Sequence, residues 1–311
     1  MSKPTIDRRR ALQLMGTAAA MPVLHRAESS VQPKKAKFTY CLNLSTIHGQ
    51  KLGFMGELEV AAKAGYRSVE IWIDTLREYL DKGGKIAEVK SLLNGLGLQI
   101  ENCIAFAKWV VDDESIRKQA LAQMKAEMGL MAELGCKRIA ATGMGLTNDA
   151  TVSLDTIAER YRIVLDLGVS MNVIPLLEVW GSQKQLSTAS EAAYCAMQSG
   201  GARAKILLDV FHLYKGGTPL DTLSFINPDI NPILHMNDYP STLSRAVITD
   251  ADRVYPGDGV APIKRILQIL QHRDEPLILS TELFNAAYYK QDALTVAKTA
   301  LTKMKAVAEG V

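Results

Sequence analysis

From residue 38 onward, hydrophobic and polar positions alternate between two rhythms. Short, almost continuous apolar runs at residues 38–44, 68–73, 98–106 and 138–142 have the length and composition of strands buried on both faces. Between them the apolar positions recur every three or four residues. Leu121, Met124, Met128 and Met131 do so within 114–134, and Ile157, Tyr161, Val164 and Leu165 within the next segment, which marks one buried face of a helix. Gly65 and Gly97 stand where the first two helical stretches must stop. Four more apolar runs follow at 174–181, 205–212, 233–238 and 277–284. They are separated by helical sequence near 187–198, 221–225 and 261–272, and a last amphipathic helix covers 292–308. Eight strands alternating with eight helices predict a parallel α/β fold. Eight repeats favour a single closed (β/α)8 TIM barrel over an open sheet, because closure leaves no edge strand to protect. No internal boundary interrupts residues 37–311.

The last four strands differ from the first four in how they end. Each carries a polar group at its C-terminal end: Glu178, Asp209, His235 and Glu282. Strand side chains alternate, so Leu176, Glu178 and Trp180 share one face, as do Leu207 and Asp209, Ile233 and His235, and Ile278, Ser280 and Glu282. In a barrel these faces converge at the C-terminal mouth, where barrel enzymes keep their active sites. An ionised carboxylate in an apolar strand costs several kcal/mol unless it is paired, on the order of the penalty for any buried ion. Three acids and one imidazole at one depth therefore predict a bound cation. Three oxygens and one nitrogen suit one hard divalent ion, manganese first, with magnesium, cobalt or zinc as alternatives.

Composition narrows the field. The chain has 311 residues with 48% hydrophobic and 22% charged, and a net charge of +3 without a dense basic stripe, so nucleic acid is not an expected partner. Cys41, Cys103, Cys136 and Cys195 are widely spaced, which predicts small buried hydrophobes rather than a disulfide framework or thiolate site. Gly143-Met144-Gly145 lacks the third glycine of a dinucleotide fingerprint, so no nucleotide cofactor is expected. No run reaches the roughly 18 apolar residues of a membrane span. Residues 1–36 stand apart: Asp7-Arg8-Arg9-Arg10 precedes a mildly apolar run from Ala11 to Leu24, a pattern similar to a twin-arginine export signal. Export to the periplasm is the expectation, with a cytoplasmic protein carrying a basic tail as the alternative. A homo-oligomer is compatible with the composition.

Leu177-Glu178, the run from Leu208 to His212, His235-Met236-Asn237-Asp238, the run from Asp252 to Gly259, and Thr281-Glu282 together resemble the xylose isomerase-like family of TIM barrels. That family includes sugar isomerases, ketose 3-epimerases, inosose dehydratases and endonuclease IV. The resemblance spans nearly the whole chain from Phe38. It implies that Glu178, Asp209, His235 and Glu282 bind one metal and that Glu178 and Glu282 double as acid and base. The implied activity is isomerisation or epimerisation of a free or modified carbohydrate through an enediolate. A lyase or dehydratase acting on a keto-sugar or keto-inositol with the same groups is the rival, and a non-catalytic sugar-binding barrel a third reading. The endonuclease branch is disfavoured, since only five histidines exist and His25 and His272 lie in the leader and a helix. Around the metal, His212 is expected on a loop, bonding substrate or serving structure. Arg253 is placed to hold a hydroxyl or phosphate, and Asp238 to orient His235 or bond the loop backbone. Glu70, Glu101 and Trp180 are expected in the pocket wall, with Asn43 and His48 as further candidates.

Overall fold

A computed structural model of the chain describes residues 36–146, 152–271, 273 and 275–311, so the proposed leader lies outside the described residues. Eight parallel strands form a nearly closed barrel: β1 (Phe38–Asn43), β2 (Ser68–Trp72), β3 (Gln99–Ile104), β4 (Arg138–Ala141), β5 (Ile174–Glu178), β6 (Lys205–Asp209), β7 (Ile233–Met236) and β8 (Leu277–Thr281). Their order around the sheet is β3-β2-β1-β8-β7-β6-β5-β4. At the seam between β3 and β4 side chains stitch the wall, Arg138 donating to the Glu101 carbonyl at 3.1 Å and the Thr142 hydroxyl to the Ala105 carbonyl at 3.2 Å.

Alternation along each strand feeds two apolar layers. Outward residues such as Leu42, Val69, Leu177, Leu208, Leu234 and Leu279 pack under the helices in one continuous core. Inward residues form a separate plug, Cys41, Ile104, Ala140, Leu176, Leu207, Ile233 and Ile278. Each buried Leu or Ile contributes roughly 1.5–3 kcal/mol relative to exposure. The plug also fixes where chemistry can happen: with the barrel floor filled, only the next inward positions along β5 to β8 reach open space. All four cysteines are buried and free. Among the described residues no helix is long and apolar enough to cross a membrane.

Two segments depart from the sequence pattern. The helical stretch between β2 and β3 is two helices, Ile73–Asp81 and Ile86–Leu96, broken where Gly83 adopts a left-handed φ of 92°. Strand six ends earlier than its apolar run suggests. Asp209 is the N-cap of the helix Val210–Gly216, its carboxylate accepting from the His212 backbone N–H at 2.9 Å, so this helix opens the crossover at once. The stretch expected to be helical near 221–225 is consequently only a 3-10 segment, Leu220–Phe225.

Candidate metal centre

The interior plug positions the polar groups. Two residues beyond Leu176, Leu207 and Ile233 come Glu178, Asp209 and His235, and Glu282 lies four beyond Ile278. Asp209 pairs in register with His235, and His235 with Ser280, while Glu178 pairs with Leu207. This stagger is the shear of a tilted barrel, and it brings residues from different register positions to one height. Glu282 lies just past β8, held by its N–H on the Met236 carbonyl at 3.1 Å.

Asp209, His235 and Glu282 meet, and Glu178 stands at the edge of their group, nearest His235. His235 Nδ1 is 3.1 Å from Glu282 Oε2, 3.6 Å from Asp209 Oδ2 and 3.9 Å from Glu178 Oε1. One ligand atom from each of Asp209, His235 and Glu282 lies within 4.8 Å of the others, and all four residues are buried. Burial presses the Glu178 carboxyl up to about 8, with His235 partly offsetting it and Glu282 adding to it. Asp209 is held far below the usual carboxylate range: burial opposes its charge, but Arg253 and the two histidines outweigh that. His235 likewise resists burial and is raised well above an ordinary imidazole, chiefly by Glu282 and Glu70. Its Nδ1 makes no well-aligned hydrogen bond although Glu282 lies 3.1 Å away, and Glu178 Oε2 is buried without a hydrogen-bond partner.

Glu70 is not in the pocket wall. It is fully buried beneath the cluster, where His235 Nε2 lies 3.1 Å from its Oε1. Asn102 donates to Oε1 at 2.7 Å, while Asn43 and Ser280 donate to Oε2 at 2.9 and 2.7 Å. Burial opposes its charge, but His235, Asn102 and Ser280 bring its pKa below the ordinary value. A carboxylate fixed on Nε2–H turns Nδ1 towards the three acids, so that once Nδ1 gives up its proton to an ion the ring already has the orientation a ligating histidine needs. Of the two roles expected of Asp238, orienting His235 belongs to Glu70, and bonding the loop backbone is the one Asp238 plays. Asp238 accepts from the backbone N–H groups of Tyr239 and Ala261 at 2.8 Å and Gly257 at 3.0 Å, knitting the loop after β7.

That loop delivers Arg253, which is buried rather than open to a phosphate. Its Nη1 lies 2.8 Å from both Asp209 Oδ2 and Glu282 Oε2, and its Nη2 bonds Asp250 and sits 3.2 Å from His212 Nε2. The guanidinium lies 4.6 Å from the centre of the Phe211 ring and 5.1 Å from that of Phe284. His212 is in the first turn of its helix rather than on a loop, and burial lowers its pKa. Glu101 is also away from the mouth. It accepts from Ser68 at 2.8 Å and pairs with Arg138 at 3.2 Å, and both partners begin their strands at the opposite end of the barrel.

Trp180 does line the mouth, in a cavity of about 320 Å³ that also contains Glu178, His212, Arg253 and Glu282. Trp72, Phe106 and Phe284 share its wall and were not singled out from sequence, although each lies at or just beyond a strand end. Trp72 is fixed by its indole N–H on Asn43 Oδ1 at 2.8 Å. A larger hollow of about 570 Å³ at the N-terminal ends of the strands holds none of the clustered acids or histidines.

The sequence model of the xylose isomerase-like TIM barrel family matches residues 58–307. The chain belongs to that family. Within it, this xylose isomerase-like barrel is 26% identical to an inosose isomerase of Bacillus velezensis over 257 residues, 81% of this chain and 90% of that one. Its backbone superposes on the crystal structure of an IOLI protein with a bound zinc atom, with a TM-score of 0.80, 24% identity, and coverage of 86% of this chain and 97% of the other. An L-ribulose 3-epimerase shares the fold at a TM-score of 0.68 and 16% identity, covering 87% and 94% of the two chains.

Proposed function

We propose that this barrel is a divalent-metal-dependent isomerase or epimerase of carbohydrates, with Glu178, Asp209, His235 and Glu282 as ligands. The observation that carries the reading is the His235 imidazole, pinned through Nε2 by Glu70 and turning Nδ1 towards three buried carboxylates, the nearest 3.1 Å away. Three oxygens and one nitrogen fit a hard divalent ion, manganese foremost, while zinc is supported by the metal in the IOLI structure. Such an ion, when bound, would supply Lewis-acid polarisation of a sugar carbonyl and so acidify the neighbouring C–H.

The chain's own residues do the rest. Glu178 on β5 and Glu282 beyond β8 flank the pocket from strands separated by β6 and β7, so they approach a substrate carbon from two sides. One glutamate removes the proton and the other returns it, to the same carbon for epimerisation or to the next for isomerisation. Asn43 Nδ2, 3.1 Å from Glu282 Oε1, and Arg253 keep Glu282 oriented, while Trp180 offers a face for the sugar ring and His212 a ring nitrogen near its oxygens. The inosose isomerase relatives support a cyclic polyol ketone or ketose as substrate.

Elemental analysis of the purified protein beside an Asp209→Ala variant tests the metal, and NMR in D2O with inosose and ketoses tests the chemistry. About one divalent ion per chain, lost in the variant, with deuterium entering a product of unchanged composition is the expected result. Absence of metal after reconstitution overturns the mechanism. Loss of water from the substrate would replace it with a dehydratase.

A further inference from the structure

We infer that the substrate is an uncharged two-ring sugar, its reacting ring beside Glu178 and Glu282 and a second sugar ring in a separate chamber beyond Trp72 and Phe284. This rests on the function proposed above and adds the size and charge of what the site accepts. The inner cavity of about 320 Å³ has a neighbour along its aromatic wall. Trp72 and Phe284 are also the wall of a second cavity of about 400 Å³, bounded by Ser45, His48, Asp74, Thr75, Glu78 and Tyr289. Alone, the inner chamber is at the low end of the roughly 300–1,000 Å³ of small-molecule pockets, whereas the two together reach well into that range.

The edge the two cavities share is anchored. The Trp72 indole is anchored on Asn43, which also bonds Glu70 and Glu282, and the ring packs 5.9 Å from Phe284 and 5.2 Å from Phe106, centre to centre. The position of the wall between the chambers is thereby tied to the acid cluster, and a ring resting on it is placed relative to the reacting carbon. The outer chamber offers carboxylates at Asp74 and Glu78 and an imidazole at His48, itself bonded to Glu57 at 3.2 Å, beside flat aromatic faces. Acceptors around an aromatic platform suit a hydroxyl-bearing ring better than a bare aryl group.

Charge rules against a phosphosugar. The carboxylates facing the two chambers are Glu178, Asp250, Glu282, Asp74 and Glu78, and the guanidinium facing them is Arg253, already shared among Asp209, Asp250 and Glu282. A phosphate reaching the outer chamber, across Trp72 and Phe284 from the proposed ion, would meet Asp74 and Glu78, with His48, already bonded to Glu57, as the one basic group among the described lining residues there.

Calorimetric titration of the metal-loaded, full-length protein tests this. Fructose and tagatose are compared with lactulose and maltulose, disaccharides ending in fructose, and with fructose 6-phosphate. A disaccharide should bind about tenfold more tightly than its ketose, as two new hydrogen bonds and a stacked ring would give, and the phosphate should not improve on fructose. Asp74→Trp, at an exposed position, or Glu78→Trp fills the outer chamber and should bring the disaccharide-to-ketose affinity ratio close to one. Equal binding of both sizes by the wild type, a ratio unmoved by both variants, or a tenfold gain from phosphate overturns the inference while leaving the proposed chemistry standing. No binding of any sugar overturns both.

Discussion

Replacing Glu70 by glutamine keeps the size and shape of a residue that never touches solvent and changes only its hydrogen-bonding sign. In the native protein four groups point at its two oxygens: Asn102 Nδ2 at Oε1, Asn43 Nδ2 and Ser280 Oγ at Oε2, and His235 Nε2 astride both, 3.1 Å from Oε1 and 3.0 Å from Oε2. A glutamine can accept on one side only, and its amide N–H2 on the other side faces two donors. The Ser280 hydroxyl and the Asn102 amide, whose Oδ1 has no other partner, can turn to accept, but Asn43 Oδ1 is already taken by Trp72 and the Ser45 N–H, and the His235 N–H can only donate. The bond from His235 to a charged acceptor is lost, at about 1.5–3 kcal/mol, and any donor left unsatisfied adds about 1–3 kcal/mol. We expect urea unfolding of ion-free Glu70→Gln to show a loss of about 1.5–6 kcal/mol. The His235 ring is no longer held with Nδ1 towards the acids, so metal affinity should fall by roughly 10–100-fold, as when other partners of ligating histidines are removed. Competition against a chromogenic chelator measures that affinity independently of stability. Wild-type metal affinity in a folded Glu70→Gln protein would refute the claim that Glu70 orients the ligand.

Other consequences follow from the same geometry. Asp238→Ala strands three backbone N–H groups and should cost about 2–4 kcal/mol in chemical unfolding while loosening the loop that carries Arg253; a loss under 1 kcal/mol would show the loop is held elsewhere. Gly216→Ala would drive a Cβ into the Ser187 carbonyl at 1.8 Å, and the helix bearing His212 should shift, with about 1–3 kcal/mol lost and a raised KM; unchanged thermal unfolding would count against this. Glu178→Gln should abolish turnover yet stabilise ion-free protein at pH 9. Burial raises the Glu178 pKa from 4.5 to about 8, so its ionisation weighs against the fold increasingly from pH 4.5 to about 8 and fully above, and removing the charge should gain about 1–4 kcal/mol; a variant less stable than wild type at pH 9 would contradict it. Metal at a hundred times its Kd should raise the unfolding free energy by about 2.7 kcal/mol, reversed by a chelator, and a transition midpoint indifferent to metal concentration would exclude specific binding to the native state.

What the sequence determined by itself is whatever depends on local periodicity. The eight strands, the inward alternation and the convergence of Glu178, Asp209, His235 and Glu282 all follow from a period of two and a barrel that fills its floor, because Leu176, Leu207, Ile233 and Ile278 can be buried in only one way. The end of β6 was the exception. Whether Asp209 continues a strand or caps a helix depends on one carboxylate accepting one backbone N–H, and the apolar pattern from Lys205 to Phe211 is the same for both. Residues whose meaning depends on partners far along the chain needed the tertiary structure. Glu70 and Glu101 look alike at the level of sequence, each an acid inside an apolar strand. One meets His235, 165 residues away, and the other meets Arg138 at the far end of the barrel. Asp238 adjoins the histidine strand yet bonds loop backbone, and Arg253 reads as an exposed loop cation yet is buried among three carboxylates. The aromatic wall of Trp72, Phe106 and Phe284 has no signature along the chain, because its members come from β2, the end of β3 and the end of β8 and become neighbours only when the barrel closes.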